Sequence, residues 1–193
     1  MGKQLKDLLP GTVFDAGPTD VRVLEHFADG RTILMCDTCI ADRIFSEEPF
    51  KTRPEKPSAN PNDWRFSCLN RELNTEFLTT FDHAEGPIRS SDILTADWSL
   101  ADHKGGEGYG IMQTKIALLT QAMYEKYEKQ KLFAHDHYVW WLITPSADDA
   151  YYVRRVGTGG NLFNNYAYLG NFGVRPAFFV ESGVSIPEDK LMV

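Results

Sequence analysis

The last third of the chain constrains the fold most. Between residues 138 and 180 four runs follow one another: YVWWLIT, AYYVRRV, NLFNNYAYLG and VRPAFFV. They are rich in aromatic and β-branched residues and too short for buried helices, which is the composition of strands. GTGG separates the second run from the third, and glycine supplies the positive φ that a tight turn needs. The expectation is a buried strand, a hairpin and a strand at VRPAFFV that closes the same sheet. Period two puts Tyr152, Arg154 and Val156 on one face, and Tyr151, Val153 and Arg155 on the other.

Upstream, VRVLEHFADGRTILMC predicts a second hairpin turning at Asp29-Gly30, with a short strand over 12–15 beside it. Residues 51–63, KTRPEKPSANPND, hold three prolines among polar residues and predict an exposed loop. In WRFSCLNRELNTEFLTTF, Leu69, Leu73 and Phe77 fall at i, i+4 and i+8, which predicts an amphipathic helix capped by Asn62 or Asp63. Residues 82–114 show little periodicity and are expected to form a long surface insertion anchored by Trp98. KIALL then predicts a short buried strand, and Thr120 caps a second helix, QAMYEKYEKQ. The residues alone imply an α+β chain with one domain: an N-terminal β-hairpin region (1–50), the Pro-rich loop (51–63) and a core (64–193).

Composition narrows the function classes. The formal net charge is -7 and no Lys/Arg run is present, so binding to a nucleic-acid polymer is not expected, since that affinity comes largely from phosphate neutralisation. No apolar run reaches the length of a signal peptide core or a membrane span, so a soluble chain is expected, made in the cytoplasm, with no membrane insertion. The three cysteines, an odd number, fit reduced thiols.

The order NDWRFSCLNRELNTEFL, KIALLTQAMYEKY, WWLITP and GVRPAFFV resembles a prophage and gut-bacterial domain of unknown function. Its members carry a W-x-x-S-x-x-R-x-x-L-N-x-x-F helix, S-L-L-T, W-W-L-R-(S/T)-P, a variable Tyr/Asn/Gly stretch and G-V-R-P-A. This chain departs from the pattern at Ile143, where Arg is usual, and around Asn70-Arg71, where the spacing to the expected Arg shifts. The ending is similar to that of C-type-lectin-like domains, including those related to the formylglycine-generating enzyme. Some of these are diversified by retroelements that scatter Asn codons to Tyr, Ser and Asp. The resemblance implies a C-type-lectin-like α+β fold, with a mixed or antiparallel sheet, two main helices and long loops. It also implies a variable ligand-binding face, in a phage-infected or lysogenic bacterial cell or on a virion.

The candidate ligand-binding residues are Tyr151, Tyr152, Arg154, Arg155, Asn161, Asn164, Asn165, Tyr166, Tyr168, Asn171 and Phe172. Tyrosine gives stiff contact area at low entropic cost, and Asn adds adaptable hydrogen bonding. The competing reading puts the aromatics in the core and the Asn residues in turns. Arg154-Arg155 could grip a phosphate or carboxylate, although a surface salt bridge is the simpler reading in an acidic chain. Trp141 is expected in the core, and Arg175 is expected to make a fixed structural hydrogen bond.

Neither Cys36-Asp37-Thr38-Cys39 nor His135-Asp136-His137 has the further ligands a metal site needs, so no metal and no cofactor is expected. No G-x-S-x-G, P-loop or H-E-x-x-H motif appears, and no cysteine follows Cys68 to carry formylglycine-type chemistry. The chain is therefore expected to be a non-enzymatic binding protein, facing a host surface protein or glycan. An intracellular phage accessory protein, binding a host defence protein or a small nucleotide signal, is the alternative. A virion structural or decoration protein, which would form an oligomer, is another.

Overall fold

In the computed structural model the described residues are 2–47, 60–133, 138–170 and 172–192. Most of the Pro-rich loop, all of His135-Asp136-His137 and Asn171 lie outside them. In chain order the strands are β1 (Lys3–Gln4), β2 (Val13–Asp15), β3 (Asp20–His26), β4 (Arg31–Cys36) and β5 (Ala41–Arg43). After the first helical run come β6 (Ile93–Leu94), β7 (Ala96–Ser99), β8 (Ile111–Thr114) and β9 (Ile116–Ala117). The last third holds β10 (Trp140–Pro145), β11 (Tyr152–Val156), β12 (Leu162–Tyr166), β13 (Phe172–Val174), β14 (Ala177–Glu181) and β15 (Ser185–Ile186). The helices are α1 (Cys68–Glu72), continued through a π-helical turn (Leu73–Phe77) into α2 (Leu78–His83), and α3 (Gln121–Lys129).

These elements overturn the expected α+β, C-type-lectin-like fold with two main helices. The protein is predominantly β: fifteen strands among the described residues, with one long helical run from Cys68 to His83 and the nine-residue α3. Part of the reason lies in residues 82–114. That stretch is no bare insertion, because β7 alternates buried Ala96 and Trp98 with exposed Asp97 and Ser99, a half-buried strand hidden among turns. Nor does VRPAFFV close one sheet. β13 belongs to a five-stranded sheet of order β12-β11-β10-β13-β5, and β14 to a six-stranded one of order β2-β3-β4-β14-β6, with β9 also on β14. Arg175-Pro176 is the crossing between the two.

Both central strands are covered on two faces, which explains their unbroken apolar sequences. On β14, Phe178 meets Phe81 of α2, and Phe179 meets Trp98 and Phe27 on the opposite side. On β10, Trp140 packs against Tyr124 of α3 and Phe133, while Trp141 packs against Phe45 and Phe172. Both tryptophans are buried. Asp63 caps a 3-10 turn (Trp64–Phe66), whereas Ser67 caps α1, accepting from Asn70 N. Thr120 caps α3 by accepting from Met123 N. Among the described residues no helix is long and apolar enough to cross a membrane.

Candidate functional site

The site is built on the hairpin of β11 and β12. Its turn closes with Gly157 N donating to Asn161 O (2.7 Å) and Gly160 N to Gly157 O (2.9 Å), with Gly160 at φ +80°. A Cβ on Gly157 would stand 2.8 Å from the Phe163 ring, so a larger residue there would have to push that ring aside. The register pairs Tyr152 with Tyr166, Val153 with Asn165, Arg154 with Asn164 and Arg155 with Phe163. Directly opposed residues share a face. Tyr152, Arg154, Asn164 and Tyr166 therefore lie together on the α3 side, and Arg155, Phe163 and Asn165 on the other.

Four tyrosines form one contiguous cluster at the end of this hairpin. Tyr152 and Tyr166 have ring centroids 4.4 Å apart, Tyr166 and Tyr168 5.6 Å, and Tyr151 and Tyr168 6.1 Å at a near-perpendicular angle. All four are partly exposed. The hydrogen bond between the Tyr152 and Tyr166 phenols raises the pKa of Tyr152. Tyr151 joins the cluster because it precedes β11 in a turn, where strand alternation does not apply.

That turn is fixed by Asn62. This buried amide donates from Nδ2 to the carbonyls of Tyr152 (2.9 Å), Asp149 (3.2 Å) and Ser146 (3.4 Å), and accepts the Tyr109 hydroxyl on Oδ1 (2.5 Å). Its own N–H donates to Ala150 O. The chain from Ser146 to Tyr152 is thus held in place by one side chain from outside the hairpin.

Beside the tyrosines, Arg154 donates from Nε to Gln121 Oε1 and from Nη1 to Asn164 Oδ1, both at 2.8 Å. Burial lowers its pKa, against the opposing pull of the nearby Glu125 and Asp148. Gln121 in turn lines a cavity of about 260 Å³ with Ser99, His103, Thr120, Glu125 and Thr144. Gln121 N is anchored by Thr144 Oγ1 at 2.8 Å. At the cavity's rim, Asp148 pairs with Lys104, which lowers its carboxyl pKa, and lies 3.5 Å from His103 Nε2.

On the opposite face, Arg155 stands between the rings of Phe163 and Phe172, at 5.1 and 4.9 Å. Its Nε is buried without a hydrogen-bond partner among the described residues, and burial lowers its pKa. Among the described residues neither Arg154 nor Arg155 forms a salt bridge, so the simple ion-pair reading of the pair fails. Phe172 packs on Trp141 at 4.8 Å and does not reach the tyrosine cluster's side. Asn165 turns back to accept from Tyr166 N, and Asn161 is exposed beside the turn.

Six of the proposed residues therefore come together: Tyr151, Tyr152, Arg154, Asn164, Tyr166 and Tyr168. Arg155, Asn165 and Phe172 face the other way. Sequence reasoning missed Gln121, which holds Arg154, and Asn62, which holds the turn. The only signal for Gln121 was its place just after the Thr120 cap. Asn62 was considered only as a cap, and the structure turns it inward.

The remaining motifs are structural. Burial pushes the Cys36 thiol up to about 12. Arg175 donates to the carbonyls of Cys36 and Asp37 and stacks over Trp140 at 5.2 Å. Among the described residues no group of three His, Cys, Asp or Glu is placed to hold a metal ion.

Residues 29–182 match the model of a family described as a domain of unknown function, DUF6273. The chain belongs to this family. The DUF6273 match runs from the β3–β4 turn to the residue after β14, and so contains the whole tyrosine site. It assigns neither a phage origin nor a lectin likeness. β2 and β3 both precede the DUF6273 match, yet they complete the six-stranded sheet. No curated protein matches the chain, and no solved structure does.

Proposed function

We propose that the protein is a non-enzymatic binding module whose ligand meets the tyrosine cluster and the adjacent Arg154. The observation that carries this reading is the juxtaposition itself. Four partly exposed tyrosine rings touch one another beside a desolvated guanidinium held by two amides rather than by a carboxylate. Stacked tyrosines offer flat apolar area and hydroxyls, the features that bind sugar faces and protein surfaces at low entropic cost. Arg154 adds a preference for an acidic group on the ligand. In the phage setting that the sequence resemblance implies, the ligand is a molecule of the host surface, and an acidic glycan fits both features.

The test compares binding with stability. Wild type, Tyr166→Ala, Tyr168→Ala and Arg154→Ala are run against an array of acidic and neutral glycans, with cyclic nucleotides in parallel by thermal shift. A hot-spot tyrosine costs about 2 kcal/mol or more on truncation, roughly thirtyfold in affinity. The expected result is that loss of glycan binding, with the folded signal intact. Stability losses of roughly 3–5 kcal/mol in the tyrosine variants, as for buried aromatics, would place these rings in the core and refute the reading. A shift with a cyclic nucleotide and no glycan signal would instead favour an intracellular accessory role.

A further inference from the structure

Among the described residues the five-stranded sheet ends at β12, and no strand pairs with the outer edge of that strand. The ladder with β11 is bracketed by Gly157 N to Asn161 O and Ala167 N to Tyr151 O. In an antiparallel pair, hydrogen-bonded and non-hydrogen-bonded residues alternate. Phe163 and Asn165 thus turn their backbone groups inward to β11, and Leu162, Asn164 and Tyr166 turn theirs outward. Tyr166 is already satisfied, its N–H by Asn165 Oδ1 (3.0 Å) and its carbonyl by Leu169 N (3.2 Å). The N–H and C=O of Leu162 and of Asn164 have no hydrogen-bond partner among the described residues.

Edge strands are ordinarily protected by lysine, proline or a bulge. β12 has none of these. Its five residues, LFNNY, carry no charge, and no charged residue occurs between Arg155 and Arg175, in a chain of net charge -7. Phe163, at the middle of the open stretch, is 47% exposed, and its ring is held by the Arg155 guanidinium.

We propose that this edge pairs with the same edge of a second copy of the chain, antiparallel about a two-fold axis at Phe163. This register sets Leu162 opposite the second copy's Asn164 and Asn164 opposite its Leu162. All four free backbone groups of each edge are then used, and the self-capped Tyr166 is not needed. A register centred on Asn164 would require Tyr166, and one centred on Leu162 would leave Asn164 unpaired. The two Phe163 residues meet in a non-hydrogen-bonded pair, the position where side chains approach most closely. On the same face the exposed Asn161 falls opposite Asn165 on either side of the axis, within reach of its Nδ2, the Oδ1 being already taken by Tyr166 N. No like charges are brought together along the seam. The pairing joins two five-stranded sheets into one and makes the tyrosine site bivalent.

The test is light-scattering mass against concentration, with amide hydrogen exchange at low and high concentration. The expected result is a mass that rises from one chain towards two, with the Leu162 and Asn164 amides gaining protection as it does. Leu162→Pro removes one outward N–H without touching the β11 ladder, and Phe163→Lys sets two cations face to face. Each is expected to hold the mass at one chain with unchanged circular dichroism. A wild-type mass of one chain at every concentration overturns the proposal. So does a dimer in which those two amides stay unprotected, or one that Phe163→Lys leaves intact.

Discussion

Asn62→Ala probes how the site is held. The side chain is 1% exposed and its two Nδ2 hydrogens serve three carbonyls, with the bonds to Tyr152 and Asp149 the shortest and Ser146 sharing at 3.4 Å. Oδ1 takes the Tyr109 hydroxyl. Alanine removes about three effective hydrogen bonds and leaves buried carbonyls unsatisfied. At about 1 kcal/mol for each bond and more for an orphaned buried group, the expected loss is roughly 3–4 kcal/mol. For a chain of this length that lowers Tm on the order of 10 °C. Asn62→Asp is expected to be no better, because a carboxylate would face three carbonyl oxygens. Denaturant unfolding measures the loss, and hydrogen exchange at residues 146–152 shows whether the turn is released. A loss below about 1 kcal/mol, with normal protection of that turn, would refute the claim that one amide fixes the tyrosine-bearing hairpin.

Burial raises the Cys36 thiol and the Tyr124 phenol to about 12 each, and also raises Tyr127, whose hydroxyl bonds Glu25. The folded chain keeps these protons where the unfolded chain, with values near 9.0 and 10.0, has begun to lose them. Their stabilisation is therefore complete below pH 9 and falls between about pH 9 and 12. Thermal melts from pH 8 to 11 should show the decline, with a shallower slope for Tyr127→Phe; equal slopes would count against it. Arg175→Lys keeps the charge but loses the planar stack on Trp140 and part of the donor fork to Cys36 and Asp37. It should cost roughly 2–4 kcal/mol, read by denaturant titration.

The hairpins were legible in advance because their signals are local. Asp29-Gly30 and GTGG mark turns, and aromatic alternation marks β11 and β12. The helical stripe was legible in part: Leu69 and Leu73 are buried, but a π-helical turn over Leu73–Phe77 interrupts the run, leaving the expected Phe77 half-buried while Phe81 is fully buried. Residues 82–114 were not legible as strands, since β6 is two residues long and pairs along β14, and β7 and β8 are four residues each and pair with one another across a run of turns. The balance of fold class shifted from α+β to mainly β for the same reason.

Period two, acting on the amino-acid order alone, already separated Arg154 from Arg155 and placed Tyr152 with Arg154. It could not say that Tyr151 escapes that rule, because leaving the strand is a matter of where Asn62 pins the turn. Nor could it show that GVRPAFFV crosses between two sheets, that Gln121 from a distant helix holds Arg154, or that β12 ends its sheet. Local residue order determines which backbone conformations are favourable. Long-range contacts choose which surfaces are covered, and the tyrosines and the β12 edge are the part of this hairpin that packing leaves open.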